Sequence, residues 1–350
     1  MTEHLRRISG RSMMLVVLVI GVAAYAARPI LLPFVAAGVL AFVCTPLVNW
    51  ISSRTGIWRA LAAAVVFISV LAIVGAFGYL ALPRVLSQAL TVVSNLQEII
   101  QSAIAGVIGD QPVSILGQIV NPQELAQRTV ESIRNWIGQP ERLLTIAGLS
   151  FVSMFGMILT VVLFAYMLFD GPGIERGLLW LVPPQQRSFA RHLWERVEPA
   201  LRRYFVGLAV VVLYTSAAAY IGLAIFLHLP HAVLLAIATG FLELIPFIGP
   251  LAAAVLAGMI ALQNAHGIES VVAYALYASA LRLSIDQIVG PVVLGTAARI
   301  HPALVIFCLL VGGYLFGVIG IVLAIPVAVT IKITLAALYE PLTNEDDAGH

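Results

Sequence analysis

Three ionisable residues, Glu243, Arg282 and Asp286, stand inside otherwise apolar stretches of this chain. A charge at the centre of a membrane span costs roughly 2.5–3.5 kcal/mol on insertion scales, so such residues face a cavity or a partner. Arg282 and Asp286 are four residues apart, which on a helix puts them on one face within pairing reach. The pair could simply fix helix packing. It could equally serve a solute, with Arg282 as ligand for a polar or anionic group and Asp286 as acceptor or proton carrier. Glu243 has no cation near it in sequence, and an unpaired carboxyl in a low-dielectric site is set up for reversible protonation. The alternative for Glu243 is a neutral acid that caps loop N–H groups.

The elements that must position these residues are unusual. An apolar segment from His231 to Leu262 is interrupted by Glu243-Leu244-Ile245-Pro246-Phe247-Ile248-Gly249-Pro250, and a second, from His301 to Lys332, by Gly312-Gly313, Gly317 and Gly320. A straight helix of either length would span about 48 Å against a hydrocarbon core of about 30 Å, while each half alone reaches only about 20 Å. Unwound backbone at membrane depth is tolerated only where it is buried in protein or lines a watery cavity. Paired interruptions of this kind point to a transporter's solute site. Pro246, Gly249 and Pro250 of the first break, and Gly312, Gly313, Gly317 and Gly320 of the second, therefore join the three charged residues as expected solute- or ion-pathway positions.

Composition makes the rest of the chain a membrane protein. Of 350 residues, 61% are hydrophobic and 10% charged, and the mean hydropathy is +1.02. Soluble domains are nearer half apolar and a quarter charged. Residues 1–82 read as three spans (12–27, 30–50, 60–82), with Arg6, Arg7, Arg11 and a small-residue Ala24-Tyr25-Ala26 that imitate a signal peptide. Arg28-Pro29 is followed at once by more apolar sequence, so an uncleaved first span is the expectation. Residues 83–146 are mixed: Leu86, Leu90, Val93, Leu96, Ile100 and Ile104 mark an amphipathic helix, for packing or subunit contact, and Asn121-Pro122-Gln123-Glu124 starts another that stops near Gly138. A fourth span covers 147–169. Residues 170–203 form a linker with six arginines, which the positive-inside rule places in the cytoplasm with both termini, leaving 83–146 outside. Residues 204–335 form the transport core, with spans 204–228 and 268–297 beside the broken segments 231–262 and 301–332, and 336–350 is a polar tail.

The last third has two topological solutions. Both broken segments cross, or both are re-entrant hairpins. In the second case each span with its hairpin becomes one of two oppositely oriented units, the arrangement of an inverted repeat. The fold class expected is an all-α polytopic membrane protein of about eight segments, the sixth and eighth broken or re-entrant.

Other chemistry is excluded or unsupported. A net charge of +2 gives no basic patch for nucleic acid, and no hydrolase or ATPase signature occurs, so neither enzyme nor cofactor is expected. Cys44 and Cys308 lie in apolar spans and read as packing residues. His228, His231, His266 and His301 stand near span ends at spacings that match no zinc pattern, which favours interfacial anchoring over metal binding.

The run Phe241-Leu242-Glu243-Leu244-Ile245-Pro246-Phe247-Ile248-Gly249-Pro250 resembles the Ile-Pro-(Tyr/Phe)-Ile-Gly-Pro signature of the AI-2E (autoinducer-2 exporter, or PerM-like permease) family. Phe169-Asp170 with Pro183 and Arg187 is similar to the same family's fourth-span end and linker. So are Asp286-Gln287-Ile288-Val289-Gly290-Pro291 and the stretch from His301-Pro302 to Pro326 to its last segments. The resemblance covers about residues 30–335. It implies a membrane carrier, some members exporting the quorum-sensing signal autoinducer-2 and others acting as sodium/proton antiporters. It also implies a homo-oligomer, a pentamer in which each protomer carries its own pathway. The expectation is a secondary transporter exporting a small polar metabolite, autoinducer-2 first, by alternating access. A cation/proton antiporter using Glu243 and Asp286 with H+ or Na+ is the alternative. A non-transporting scaffold in the bilayer is a third reading, which the intramembrane charges speak against.

Overall fold

The computed structural model describes residues 28–108, 113–115, 118–120, 124, 127, 128, 131, 132, 140–265, 267–294 and 301–339. The expected first span at 12–27, the helix start at Asn121, Gly138, His266 and all but the start of the tail lie outside them. Almost everything described is helix: α1 (Arg28–Thr55), α2 (Arg59–Ser94), α3 (Leu96–Ile108), α4 (Pro140–Phe169), α5 (Gly171–Leu181), α6 (Arg187–Tyr220), α7 (Ala232–Leu242), α8 (Ile248–Gln263), α9 (Ile268–Ser284), α10 (Gly290–Leu294), α11 (Pro302–Phe316) and α12 (Val318–Tyr339). One small antiparallel hairpin, Val113–Ile115 with Gln118–Val120, was not legible as strand in the mixed composition of that region.

Among the described residues five helices are long and apolar enough to cross a membrane, within α1, α2, α6, α9–α10 and α12. Their outer faces carry large apolar side chains in the open, among them Ile68, Ile73, Phe77, Leu213 and Leu276. Water would not tolerate such a belt; lipid does. Two helices run past the expected span ends. The third span continues without a break to Ser94, with Pro83 inside it, and the linker helix from Arg187 is one piece with the following span.

The chain forms two compact units. One contains the described parts of Met1–Ala63, Val152–Arg202 and Arg299–His350. Its α1 buries Ala37, Ala41, Cys44 and Val48, a helical stripe of small residues that lets helices approach closely. At the end of α4, Arg59 donates Nη1 to the Phe169 carbonyl at 2.8 Å, serving a helix end whose last carbonyls point out of the helix. Asp170 then caps α5 by accepting from the Gly173 N–H at 3.1 Å. The second broken segment lies in this unit and folds back on itself. Gly317 at φ 62° makes the turn, and α11 and α12 pack antiparallel, Gly312 on Gly320, with Cys308, Ala324 and Ala328 buried together beside Leu304. A Cβ on Gly312 or Gly320 would overlap the other's backbone. His301 proves to be a cap, its Nδ1 accepting from the Ala303 N–H at 3.3 Å.

The other unit contains the described parts of Ala64–Phe151 and Arg203–Ala298. Here too the broken segment folds back, with α7 and α8 packed together. Its core joins Ile99 of α3, Ala219 and Leu223 from α6 and the turn after it, Leu235 and Ala236 of α7, and Ala257 and Ile260 of α8. The amphipathic helix therefore has a partner within the chain: Leu96, Ile100 and Ile104 close on Met259. Leu86, Leu90 and Val93, further up on α2, stay exposed.

Helix α7 begins at His231, whose backbone is left-handed (φ 61°) and whose side chain makes no capping bond. The cap comes from elsewhere. Gln88 on α2 accepts the Leu234 N–H through Oε1 at 2.9 Å. Gln88→Ala is expected to destabilise the protein by about 1 kcal/mol and lower its unfolding midpoint by about 2 °C. Thermal unfolding of the detergent-purified variant checks this, and an unchanged midpoint would show that α7 does without the cap.

Candidate functional site

The three charged residues meet in the second unit. Arg282 lies near the end of α9, and Asp286 lies in a π-helical turn, Ile285–Val289, that joins α9 to α10. The guanidinium grips Asp286 with two bonds, Nε to Oδ2 at 2.8 Å and Nη2 to Oδ1 at 2.6 Å. This is the fork geometry that makes arginine a planar carboxylate clamp. Its remaining arm reaches the other way. Nη1 lies 3.4 Å from Oε1 of Glu243, 39 positions earlier in the chain, at the C-cap of α7. The sequence reading that left Glu243 without a cation is thus corrected: α9 brings one to it.

Exposure separates the partners. Arg282 and Asp286 are 44% and 42% exposed, whereas Glu243 is 9% exposed. The better-held carboxylate is the wetter one, and the buried one has a single long contact. Tyr214 holds this end of α9 by donating to Ser284 Oγ at 2.9 Å, which fixes the start of the π-turn. Such turns, with their i→i+5 bonds, occur frequently at functional sites. Helix α6, which leads into the α7–α8 hairpin, ends in one as well, at Ile221–Phe226. There the ring of Tyr277 lies so close to Gly222 that a Cβ would overlap it.

Glu243 and Arg282 form the polar end of a cavity of about 430 Å³, a size suited to a small solute. Apart from Thr239 its walls are otherwise apolar or aromatic: Pro250, Ala253, Ala254 and Ala257 of α8 face Tyr274, Tyr277, Ala278, Leu281 and Ile285 of the α9 side, with Phe247 and Leu251 at the break. Of the residues expected from sequence, Glu243, Arg282 and Pro250 line the cavity. Asp286 stands behind Arg282, Pro246 lies in the turn, and Gly249 packs its backbone against the Leu242 carbonyl where a side chain would collide. Gly312, Gly313, Gly317 and Gly320 belong to the hairpin of the other unit, where they let two helices touch. Tyr274, Tyr277, Ala278 and Leu281 were missed, although their spacing of three and four with Arg282 puts them on one helical face.

The break itself is strained. Phe247 adopts φ 66° and ψ −53°, and the Ile248 N–H bonds back to the Pro246 carbonyl at 2.8 Å. That is a γ-turn with positive φ at its centre, a rare geometry for any residue with a side chain.

A second cavity, of about 650 Å³, lies in the other unit beside Asn49, Trp194 and Glu195. Its two arginines are already engaged, Arg59 with the Phe169 carbonyl and Arg202 with Glu198.

Broken helices folded into hairpins, an apolar outer belt and charges gathered at a helix break are the features of a polytopic membrane protein of the transporter class. The chain belongs to the family described as "AI-2E family transporter", which it matches over residues 13–340. It is similar to three proteins that each carry the name "Putative transport protein". The first is sll0063 of Synechocystis, 29% identical over 89% of this chain and 79% of the relative. The others are sll0060 of the same organism, at 25% over 85% and 86%, and MT0215 of Mycobacterium tuberculosis, at 28% over 85% and 80%. Fold and family together make this a multi-pass membrane transporter.

Proposed function

We propose that the protein is a secondary transporter that exports a small polar metabolite through the cavity between α8 and α9, with autoinducer-2 as the first solute to test. One observation carries this reading. A solute-sized cavity opens at a hairpin break, and its polar end is Glu243 beside Arg282, the latter backed by Asp286. A sugar-like diol can donate to the carboxylate and accept from the guanidinium. Alternating access would come from movement of a hairpin-containing unit. In the same reading the protein sits in a bacterial inner membrane with both termini cytoplasmic, as a homo-oligomer of five protomers, and its export serves quorum sensing.

A second reading, cation/proton antiport, draws on the charge balance. Two carboxylates share one guanidinium, so one negative charge is left over for H+ or Na+. Flux in proteoliposomes separates the two. Autoinducer-2 efflux and sodium-driven proton movement are measured side by side, with Asp286→Asn as control. The exporter reading expects autoinducer-2 flux that falls at least tenfold in the variant. Proton movement driven by sodium, with no autoinducer-2 flux, would replace it with the antiporter.

A further inference from the structure

The cavity walls discriminate among small polar solutes. Every neutral hydroxyl on them already gives its proton to the backbone and is left only as an acceptor: Thr239 Oγ1 donates to the Leu235 carbonyl at 2.7 Å, Tyr274 to the Ala254 carbonyl at 2.6 Å, and Tyr277 to the Ala218 carbonyl at 3.5 Å. The remaining lining is alanine, leucine, isoleucine, proline and phenylalanine, apart from Glu243 and Arg282. A solute with hydroxyls all round would leave most of them unpaired against this wall, at a cost for each. An apolar body would lose nothing there. The polar end has its own preference. Asp286 takes two arms of the guanidinium and Glu243 only one, at 3.4 Å, so the carboxyl group that faces the cavity keeps acceptor capacity that Arg282 does not use. Tyrosine rings add a surface that attracts cations electrostatically, and those of Tyr274 and Tyr277 lie 6.5 Å apart on the wall.

We propose that this cavity binds an organic cation, an ammonium head at Glu243 carrying a compact apolar body that lies between Tyr274, Tyr277 and the alanines of α8. The inference rests on the cavity being the solute site and narrows the metabolite class from polar in general to cationic and amphiphilic. A diol competes for the same space at a disadvantage.

Equilibrium binding to the purified protein in nanodiscs tests it, with empty nanodiscs subtracted. The probes are 2-phenylethylammonium, its neutral counterpart 2-phenylethanol, and methylammonium, which has the charge without the body. The expected result is saturable binding of 2-phenylethylammonium at least tenfold tighter than either comparison. Glu243→Gln should remove that preference, and Ala278→Phe should fill the cavity and abolish binding. Equal affinity for the neutral probe in the wild type overturns the proposal without recourse to any variant. So does an unchanged preference in a folded Glu243→Gln protein. The two layers fail separately. Autoinducer-2 flux blocked by Ala278→Phe, with no ammonium binding, keeps the cavity as transport site and removes the cation. Ammonium binding with no flux of any solute keeps the cation and removes the transport role.

Discussion

Arg282→Lys is expected to reduce solute flux in proteoliposomes at least tenfold, despite keeping the positive charge. The guanidinium spans two carboxylates from different helices, with a two-bond grip on Asp286 and one arm toward Glu243. An ammonium is a single point with no fork and satisfies one of them at a time. Removing the side chain altogether is a harsher change. Arg282→Ala leaves Glu243 nearly buried with no cation, and breaking a buried pair costs roughly 3–5 kcal/mol, toward the lower end here because Arg282 is half exposed. Adding Glu243→Gln to Arg282→Ala should then recover most of the lost stability while flux stays low. Thermal unfolding beside flux reads both effects. Normal flux in a folded Arg282→Lys protein would show that the bridge only holds helices together.

Gly320→Ala is expected to deplete folded protein more than any other single methyl addition in the second hairpin. At Gly320 the new methyl would overlap the carbonyl group of Gly312, and backbone on the facing helix has no rotamer through which to yield. At Gly313 the nearest atoms are Cγ1 and Cδ1 of Ile321, at 3.1 and 3.4 Å, part of a side chain that can turn aside. Overpacking a tight site costs about 1–3 kcal/mol and more where backbone must move. Gly320→Ala should therefore fall at or above the top of that range, and Gly313→Ala within or below it. Detergent-solubilised yield and unfolding midpoint of the two variants check the order. Equal midpoints would mean that α11 and α12 can part without consequence.

The breaks were legible in sequence because glycine and proline cluster within apolar runs too long to cross as one straight helix, whereas crossing and folding back stayed open as alternatives. The charged residues were legible because charge is rare at membrane depth, and the pairing of Arg282 with Asp286 follows from helical spacing alone. What stayed hidden depended on contacts between distant positions. Glu243 meets Arg282 only because α8 packs on α9 and brings the break beside it, and Gln88 caps a helix 146 positions further on. The two π-turns have no composition of their own. At Ile285–Val289 and Ile221–Phe226 the residues share no pattern that marks such a turn, so the extra residue per turn appears only in the bonds. The aromatic wall was readable from its spacing but was outweighed by the charged residues beside it.

The γ-turn at Phe247 carries an energetic consequence. A residue held in so sparsely populated a backbone conformation stores about 1–3 kcal/mol, which the surrounding contacts must keep paying back. The same interval, read as an equilibrium constant, is a factor of five to about 150. A rearrangement of the hairpin tip that returned Phe247 to an ordinary backbone conformation would recover that stored energy, offsetting part of the cost of the contacts it gave up.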